Sequence, residues 1–317
     1  MNRLGIVGTM VWDTIHGRGD SAAPVEEWGG IAYALAALEV SLPAEWQIVP
    51  LIKVGRDLAD RANEFLGTLT RRSTAARFIE VPEPNNRVTI RYADAVRRAE
   101  RLSGGVPPWQ WHELGPLVRD LDAIYVNFIS GFEMTLETAR LLRRGFDGPM
   151  YADLHSLMLG VDGDGFRVPQ RRPDVVEWFR CFDAIQINED ELDLVGEDPM
   201  AVAAIAMAQG VHVFVVTLGE RGAVYFAAGN ATFREVRRQP LDPGRPVTTG
   251  RIPADLVEVL DPTGCGDVFG GALVAELVCG TAIADAVRRA NALAGRNVRY
   301  RGAAKLQYHL RGEIVPT

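Results

Sequence analysis

The chain of 317 residues carries 34 Lys and Arg against 41 Asp and Glu, a formal net charge of −7, with 47% hydrophobic and 24% charged residues. That length suits one large domain or a domain with a smaller appendage, and the composition is ordinary for a soluble globular protein. The acidic balance leaves no basic surplus to neutralise phosphates along a duplex, which argues against a nucleic-acid partner.

The amino terminus, MNRLGIVGTMVWD, has too short an apolar run for a secretory leader and meets a charge at Asp13. LGIVG (4–8) reads instead as a first strand. Residues 9–28 are more polar and are followed by a helix over 29–40, a strand at WQIVPLIKVG (46–55) and a helix over 56–69. In 86–102, RVTIRYAD alternates Val88, Ile90 and Tyr92 with polar residues, the pattern of a strand with one open face. The arginines at 97, 98 and 101, like those in 170–172, read as solvated charge. AIYVNFIS (123–130), PMYADL (149–154), DAIQIN (183–188) and VHVFVVTLG (211–219) read as strands, with helices over 135–146 and 199–209 between them.

Several of these strands are apolar on both parities, as strands covered on both faces should be. Their alternation with helices predicts right-handed crossovers and a largely parallel sheet between two helical layers. The two polar stretches, about 9–28 and 86–102, predict a small β appendage made of two insertions. The proline- and glycine-rich 239–255 reads as an irregular loop, DLVEVL (255–260) as a strand, and 267–280 and 282–298 as helices on the sheet. Three cysteines, Cys181, Cys265 and Cys279, lack metal-ligand spacing and fit a reducing compartment. No stretch nears the roughly 18 uninterrupted apolar residues of a membrane span, so the expectation is a cytoplasmic protein with no membrane partner.

The stretch with most chemical content is DPTGCGD, residues 261–267, between the expected strand and the next helix. Open α/β sheets bind ligands where such loops enter helices. Gly264 and Gly266 leave the backbone bare around a small Cys265, and amides at a helix start can hold an anion. Asp267, within reach of an acceptor hydroxyl, could take its proton during attack on phosphorus. The plainer alternative is a turn at 261–264 with Asp267 capping a helix. No GxxxxGK[ST] pattern occurs, and GIVGTM lacks GxGxxG, which disfavours P-loop and dinucleotide-binding enzymes.

DPTGCGD resembles the carboxy-terminal signature D-[T/P]-T-G-[A/C]-G-D of the ribokinase-like, or PfkB, carbohydrate and nucleoside kinases. WGG (28–30), INEDE (187–191) and VVTLGERGAVYF (215–226) resemble further motifs of that family in the same order. The resemblance implies a ribokinase-like three-layer α/β/α fold with a mostly parallel central sheet, in a single domain with a small β lid. It implies an ATP- and Mg2+-dependent kinase acting on a sugar or nucleoside hydroxyl, with a monovalent cation and a homodimer through the lid left open. Asp267 would be the base, with Gly264, Cys265 and Gly266 as the anion hole. Glu191, with Asn188, would organise the metal, and Thr217, Gly219, Gly222 and Asn291 would line the nucleotide site. Asp13, Gly29 and Gly30, joined by Asp153 and His155, would face the acceptor.

Two places depart from the family pattern: Tyr33 stands where Asn is frequent after Gly-Gly, and 153–157 reads DLHSL rather than D-x-N-x-R. These departures leave room for a non-catalytic sugar- or nucleoside-binding regulator that kept the fold. A vitamin-precursor kinase of the same superfamily is disfavoured by the β insertions.

Overall fold

The computed structural model describes residues 1–16, 24–74, 76, 78–92, 98–229, 232–236, 244 and 246–313. Strand β1 (Asn2–Val7) leads into β2 (Met10–His16), β3 (Val25–Gly30) and helix α1 (Ile31–Ser41). Then come β4 (Trp46–Leu51), β5 (Lys53–Gly55), α2 (Ala59–Gly67), β6 (Ile79–Val81), β7 (Arg87–Tyr92) and β8 (Arg98–Ser103). The middle runs α3 (Trp111–Leu114), β9 (Ala123–Asn127), α4 (Leu136–Gly145), β10 (Met150–Asp153), β11 (Leu159–Val161), β12 (Arg167–Pro169) and α5 (Val175–Phe179). The remainder is β13 (Ala184–Asn188), α6 (Glu189–Val195), α7 (Pro199–Ala208), β14 (Val213–Thr217), β15 (Ala223–Ala228), β16 (Val247–Ile252), α8 (Cys265–Val278), α9 (Ile283–Asn297) and α10 (Leu306–Leu310).

Eight strands make the main sheet in the order β16-β15-β14-β13-β10-β9-β1-β4. Pairing is parallel from β14 to β4 and antiparallel where β15 and β16 extend the edge. Successive residues of β9 show why both parities are apolar. Ile124 and Val126 enter one core layer with Leu142 and Phe179, while Ala123 and Tyr125 enter the other with Leu35, Leu273 and Val287. Helices α1 and α8 pack on each other in that second layer, and each is buried along most of its length. An all-round apolar sequence is what such a position requires. Helix α4 is instead amphipathic: Thr135 Oγ1 caps it by accepting from the Thr138 amide at 3.2 Å, and Arg143 and Arg144 occupy its last turn. The expected three-layer α/β/α fold with a mostly parallel central sheet is what the chain adopts.

A separate four-stranded sheet, in the order β3-β2-β7-β8, comes from the two polar stretches. Residues 17–23 and 93–97, inside those stretches, lie outside the described residues. The β11–β12 hairpin, which the sequence reading did not anticipate, meets the outer strand of this sheet. The Leu102 amide donates to the Gly165 carbonyl at 2.9 Å, and Arg101 forms an antiparallel bridge with Phe166.

Two expectations are corrected near the carboxyl end. Residues 247–252, read as part of a loop, form β16, because pairing along β15 from Ala228↔Val247 to Ala223↔Ile252 outweighs the local Gly and Pro signals. Residues 255–260, read as a strand, are irregular, and Leu256 is 95% exposed. The place beside β15 is already taken by β16, so DLVEVL has no sheet edge to join there.

Trp178, on α5, is a large buried side chain of the core layer that also takes Leu142 of α4. It is 1% exposed, with its ring edge-to-face to Phe128 at 5.3 Å and 88°. Trp178→Ala is expected to lower unfolding free energy by about 3–5 kcal/mol, measured as a shift in urea midpoint at constant slope.

Candidate active site

Strands β9, β10, β13 and β14 end at Asn127, Asp153, Asn188 and Thr217, so polar side chains gather at the carboxyl edge of the parallel sheet. Helix α8 starts over this edge. The turn before it is fixed by Asp261, whose Oδ1 accepts from the Thr263 amide at 3.0 Å and from Thr263 Oγ1 at 2.7 Å. Asn297, on α9, donates to the Thr263 carbonyl at 2.9 Å. Gly264 then takes the left-handed conformation, φ 72° and ψ 7°, as N-cap of α8. A Cβ on Gly264 would lie 2.2 Å from Tyr33 Cγ, so only glycine fits both the torsion and the space.

Asp267 lies in the first turn of α8, where the helix dipole favours negative charge. Asn127 Nδ2 donates to its Oδ1 at 2.8 Å, fixing the carboxylate across the sheet edge. Beneath it, Gln186 Nε2 donates to Asp153 Oδ2 at 2.8 Å and to the Gly266 carbonyl at 3.1 Å, while Tyr151 donates to Gln186 Oε1. The Cys265 amide donates to the Pro262 carbonyl at 3.2 Å. Burial pushes the Cys265 thiol up to about 11 against the lowering effect of Asn297, which keeps it a neutral small side chain.

Asn188 and Glu191 form a reciprocal capping box on α6. Asn188 Oδ1 accepts from the Glu191 amide at 2.9 Å, and Glu191 Oε2 accepts from the Asn188 amide at 2.8 Å. The pair thus caps α6, but it does more. Glu191 Oε1 also accepts from Asn188 Nδ2 at 2.6 Å and is in contact with His155 Nδ1. Burial opposes charge on His155, yet Glu191 outweighs it and lifts the imidazole to about 9. Burial, then the Glu191 charge, holds the Asp153 carboxyl well above the ordinary carboxylate range.

These groups line a cavity of about 590 Å³. It brings together Asp153, His155, Asn188, Glu191, Thr217, Gly219, Gly222, Asn291 and Gly264–Asp267, twelve of the expected site residues. Asn291 donates to the Ile252 and Pro253 carbonyls at 3.0 and 3.4 Å, tying the cavity wall to the end of β16. Val257 and Val259 make part of that wall apolar. Asp153 and His155, expected on the acceptor side, stand in this cavity with the Asn188–Glu191 pair.

Asp13, Gly29 and Gly30 lie outside that lining, on the small sheet. Asp13 pairs with Glu27 across β2 and β3, and a Cβ on Gly29 would fall 1.8 Å from Asp13 Oδ2. The two groups of residues meet around Tyr33. Burial first, then the charges of Glu27, Asp13, Asp261 and Asp267, raises its phenol well above the ordinary tyrosine range. Tyr33 therefore packs as a neutral wedge between the two halves of the site.

Sequence reasoning missed Asn127, Gln186 and Glu27. Asn127 and Gln186 did carry a signal, being amide side chains in the otherwise apolar strands AIYVN and AIQIN. Glu27 is adjacent to WGG and gave none.

Gly264→Ala is expected to cost more than the roughly 1–2 kcal/mol of a left-handed non-glycine residue, because the methyl also meets the Tyr33 ring. Thermal unfolding of the single and double variants separates the parts: adding Tyr33→Ala should remove the steric excess and leave the torsional cost. Glu27 supplies a pH dependence. Burial first, then the Asp261 charge, raises its carboxyl from 4.5 to about 7, against the lowering effect of Arg301. The folded state thus holds the proton longer than the unfolded chain, and stability falls as pH rises between those two values. Glu27→Gln should remove that fall and gain on the order of 2 kcal/mol over wild type at pH 8, with no gain at pH 4, in paired urea titrations.

Comparison with known proteins agrees with this architecture. Residues 165–308 match the pfkB family carbohydrate kinases. No curated protein sequence matches the chain significantly. Among solved structures, ribokinase from Thermotoga maritima superposes with a TM-score of 0.71 at 18% identity, covering 98% of this chain and 99% of that one. A nucleoside kinase of Burkholderia thailandensis in complex with inosine gives 0.70 at 18% identity, covering 98% and 96%. Arabidopsis thaliana ribokinase complexed with ribose and ATP gives 0.69 at 18% identity, covering 98% of both chains. At such identities the likeness establishes the fold.

Proposed function

We propose that the chain, whose residues 165–308 match the pfkB family carbohydrate kinases and whose fold is like that of ribokinase, transfers the γ-phosphoryl group of ATP to a hydroxyl of a sugar or nucleoside. The observation that carries this reading is the start of α8: a bare, left-handed Gly264 and an Asp267 carboxylate at the mouth of one 590 Å³ cavity. A cavity of that volume, with an apolar wall at Val257 and Val259, suits a nucleotide donor better than a bare pyrophosphate.

In this reading the donor phosphates lie against the first turn of α8. The Gly266 and Asp267 amides face the charge that develops on the transferring group, while the Cys265 amide is partly committed to Pro262. The acceptor hydroxyl sits between Asp13 and Asp267, beneath the small sheet acting as a lid. Asp267 Oδ2 takes the proton as the oxygen attacks phosphorus, and Asn127 fixes Oδ1 so that the other oxygen points at the acceptor. Positioning and charge stabilisation supply most of the acceleration.

Among the described residues, no group of three or more His, Cys, Asp or Glu side chains is placed to hold a metal ion. Magnesium bound to phosphates keeps mostly water and phosphate oxygens as ligands and needs no such cage. The carboxylates of Glu189, Asp190 and Glu191 in the cavity wall fit a hydrated ion of that kind. Glu191, oriented by Asn188, would hold its water shell, and the ion would neutralise donor phosphate charge.

Asp267→Asn preserves shape while removing the base. Its turnover is expected to fall by about 10²–10⁴-fold, with ATP affinity within a few-fold of wild type by calorimetry. A variant with near wild-type turnover would remove Asp267 as the base. ATP binding with no consumption by the wild type, across sugars and nucleosides, would favour a non-catalytic binding protein.

A further inference from the structure

The kinase scheme gives no task to His155, in the stretch DLHSL that departs from the family pattern. The donor cavity is lined by seven Asp and Glu side chains, and among its described lining residues His155 is the only basic one. No Lys or Arg belongs to that wall; Arg221 is bound to Glu189 and is not part of the lining. A triphosphate meets repulsion from such a surface. Beyond an ion at the phosphates and the first turn of α8, only His155 can offset their charge from this wall.

The placement of the ring is specific. Its Nδ1 is engaged by Glu191 Oε1, and the His155 amide donates to Asp153 Oδ1 at 3.1 Å. Glu191 is buried, with its side chain 5% exposed, whereas the His155 side chain is 41% exposed and lies in the cavity wall. Nε2, on the other side of the ring, makes no hydrogen bond to a described residue. Asp153 also ties His155 to the catalytic turn. Its Oδ2 accepts from Gln186 Nε2 at 2.8 Å, and the same nitrogen donates to the Gly266 carbonyl at 3.1 Å. Two side chains thus connect His155 to the first turn of α8, against which the donor phosphates lie in the kinase reading. A histidine that only ends a strand needs neither a buried carboxylate on its ring nor a place in that wall.

We propose that His155 is a donor-phosphate contact, donating from Nε2 to an oxygen of the β- or γ-phosphate while Glu191 holds the ring at Nδ1. This deepens the kinase reading and rests on it. Both ring nitrogens then act as donors, one to a carboxylate and one to a phosphate, which is the arrangement of an imidazolium. The contact reads the outer phosphates and nothing of the acceptor, so it sets donor affinity rather than acceptor choice.

The test is calorimetric binding of ATP and of AMP, both with Mg2+, to wild type and His155→Gln, with turnover measured in parallel across sugars and nucleosides. His155→Gln should weaken ATP by about 10- to 100-fold and leave AMP, which lacks the outer phosphates, within a few-fold. His155→Lys should recover part of the ATP affinity. With an acceptor that turns over, KM for ATP should rise in His155→Gln while KM for the acceptor stays put. Wild type offers a second measurement should the variant fail to fold: deuterium exchange at histidine Cε1, located by mass spectrometry on the peptide carrying residue 155, should slow with ATP and not with AMP. Unchanged ATP affinity in His155→Gln, an equal loss for ATP and AMP, or exchange at His155 that ATP leaves untouched overturns the assignment. ATP affinity that depends on His155, without turnover on any acceptor, would instead sink the kinase reading and leave the His155 contact standing.

Discussion

The Tyr33 ring lies so close to Gly264 that no side chain could stand there, and this contact decides where α8 begins. A left-handed residue at Gly264 turns the chain into α8, and Gly264 to Asp267 line the cavity. Tyr33 belongs to α1, which lies beside α8, and both helices are too apolar to turn any face to water. Their close packing therefore transmits the position of α1 to the turn before α8, since interiors at native density yield little. Asp267 inherits its place from that packing, and Asn127 adds only the final orientation.

Around this point the molecule divides its charges. The cavity side pairs Glu191 with His155 and leaves Asp153 buried beside them, inclined to keep its proton. The other side gathers Asp13 and Glu27 on the small sheet. Tyr33 lies within the field of both groups and, buried, stays an uncharged ring. Burial does much of the tuning: it raises Glu27, Asp153 and Cys265 alike, so several acidic groups are tolerated by remaining neutral.

How far the sequence discloses this depends on how local each cause is. Strands such as AIYVN and VFVVT declare themselves, because being covered on both faces leaves an unbroken apolar run. DPTGCGD is equally legible, since its turn chemistry, helix start and carboxylate are all within seven residues. The reversal of 247–252 and 255–260 shows the limit. Which of two neighbouring segments joins β15 is decided by sheet edge and register, and neither can be seen along the chain. Tyr33 reads from sequence as a missing acceptor contact and proves to pack against the turn at Gly264. The β11–β12 hairpin was illegible for another reason: its strands are three residues each, and their exposed valines carry no periodicity.

The hydrogen bond from Asn127 to Asp267 joins residues 140 positions apart, and Arg311 reaches Glu39 across 272. Loop closure over such distances must be achieved before these contacts return any stabilisation. The amino-terminal strands and α1 leave the ribosome long before α8 exists, and the face of α1 that α8 covers is apolar. An apolar α1 is thus an aggregation hazard in the nascent chain until α8 covers it. The packing that hides this surface is the same packing that seats Gly264 on Tyr33, so covering α1 and shaping the turn before α8 are one event.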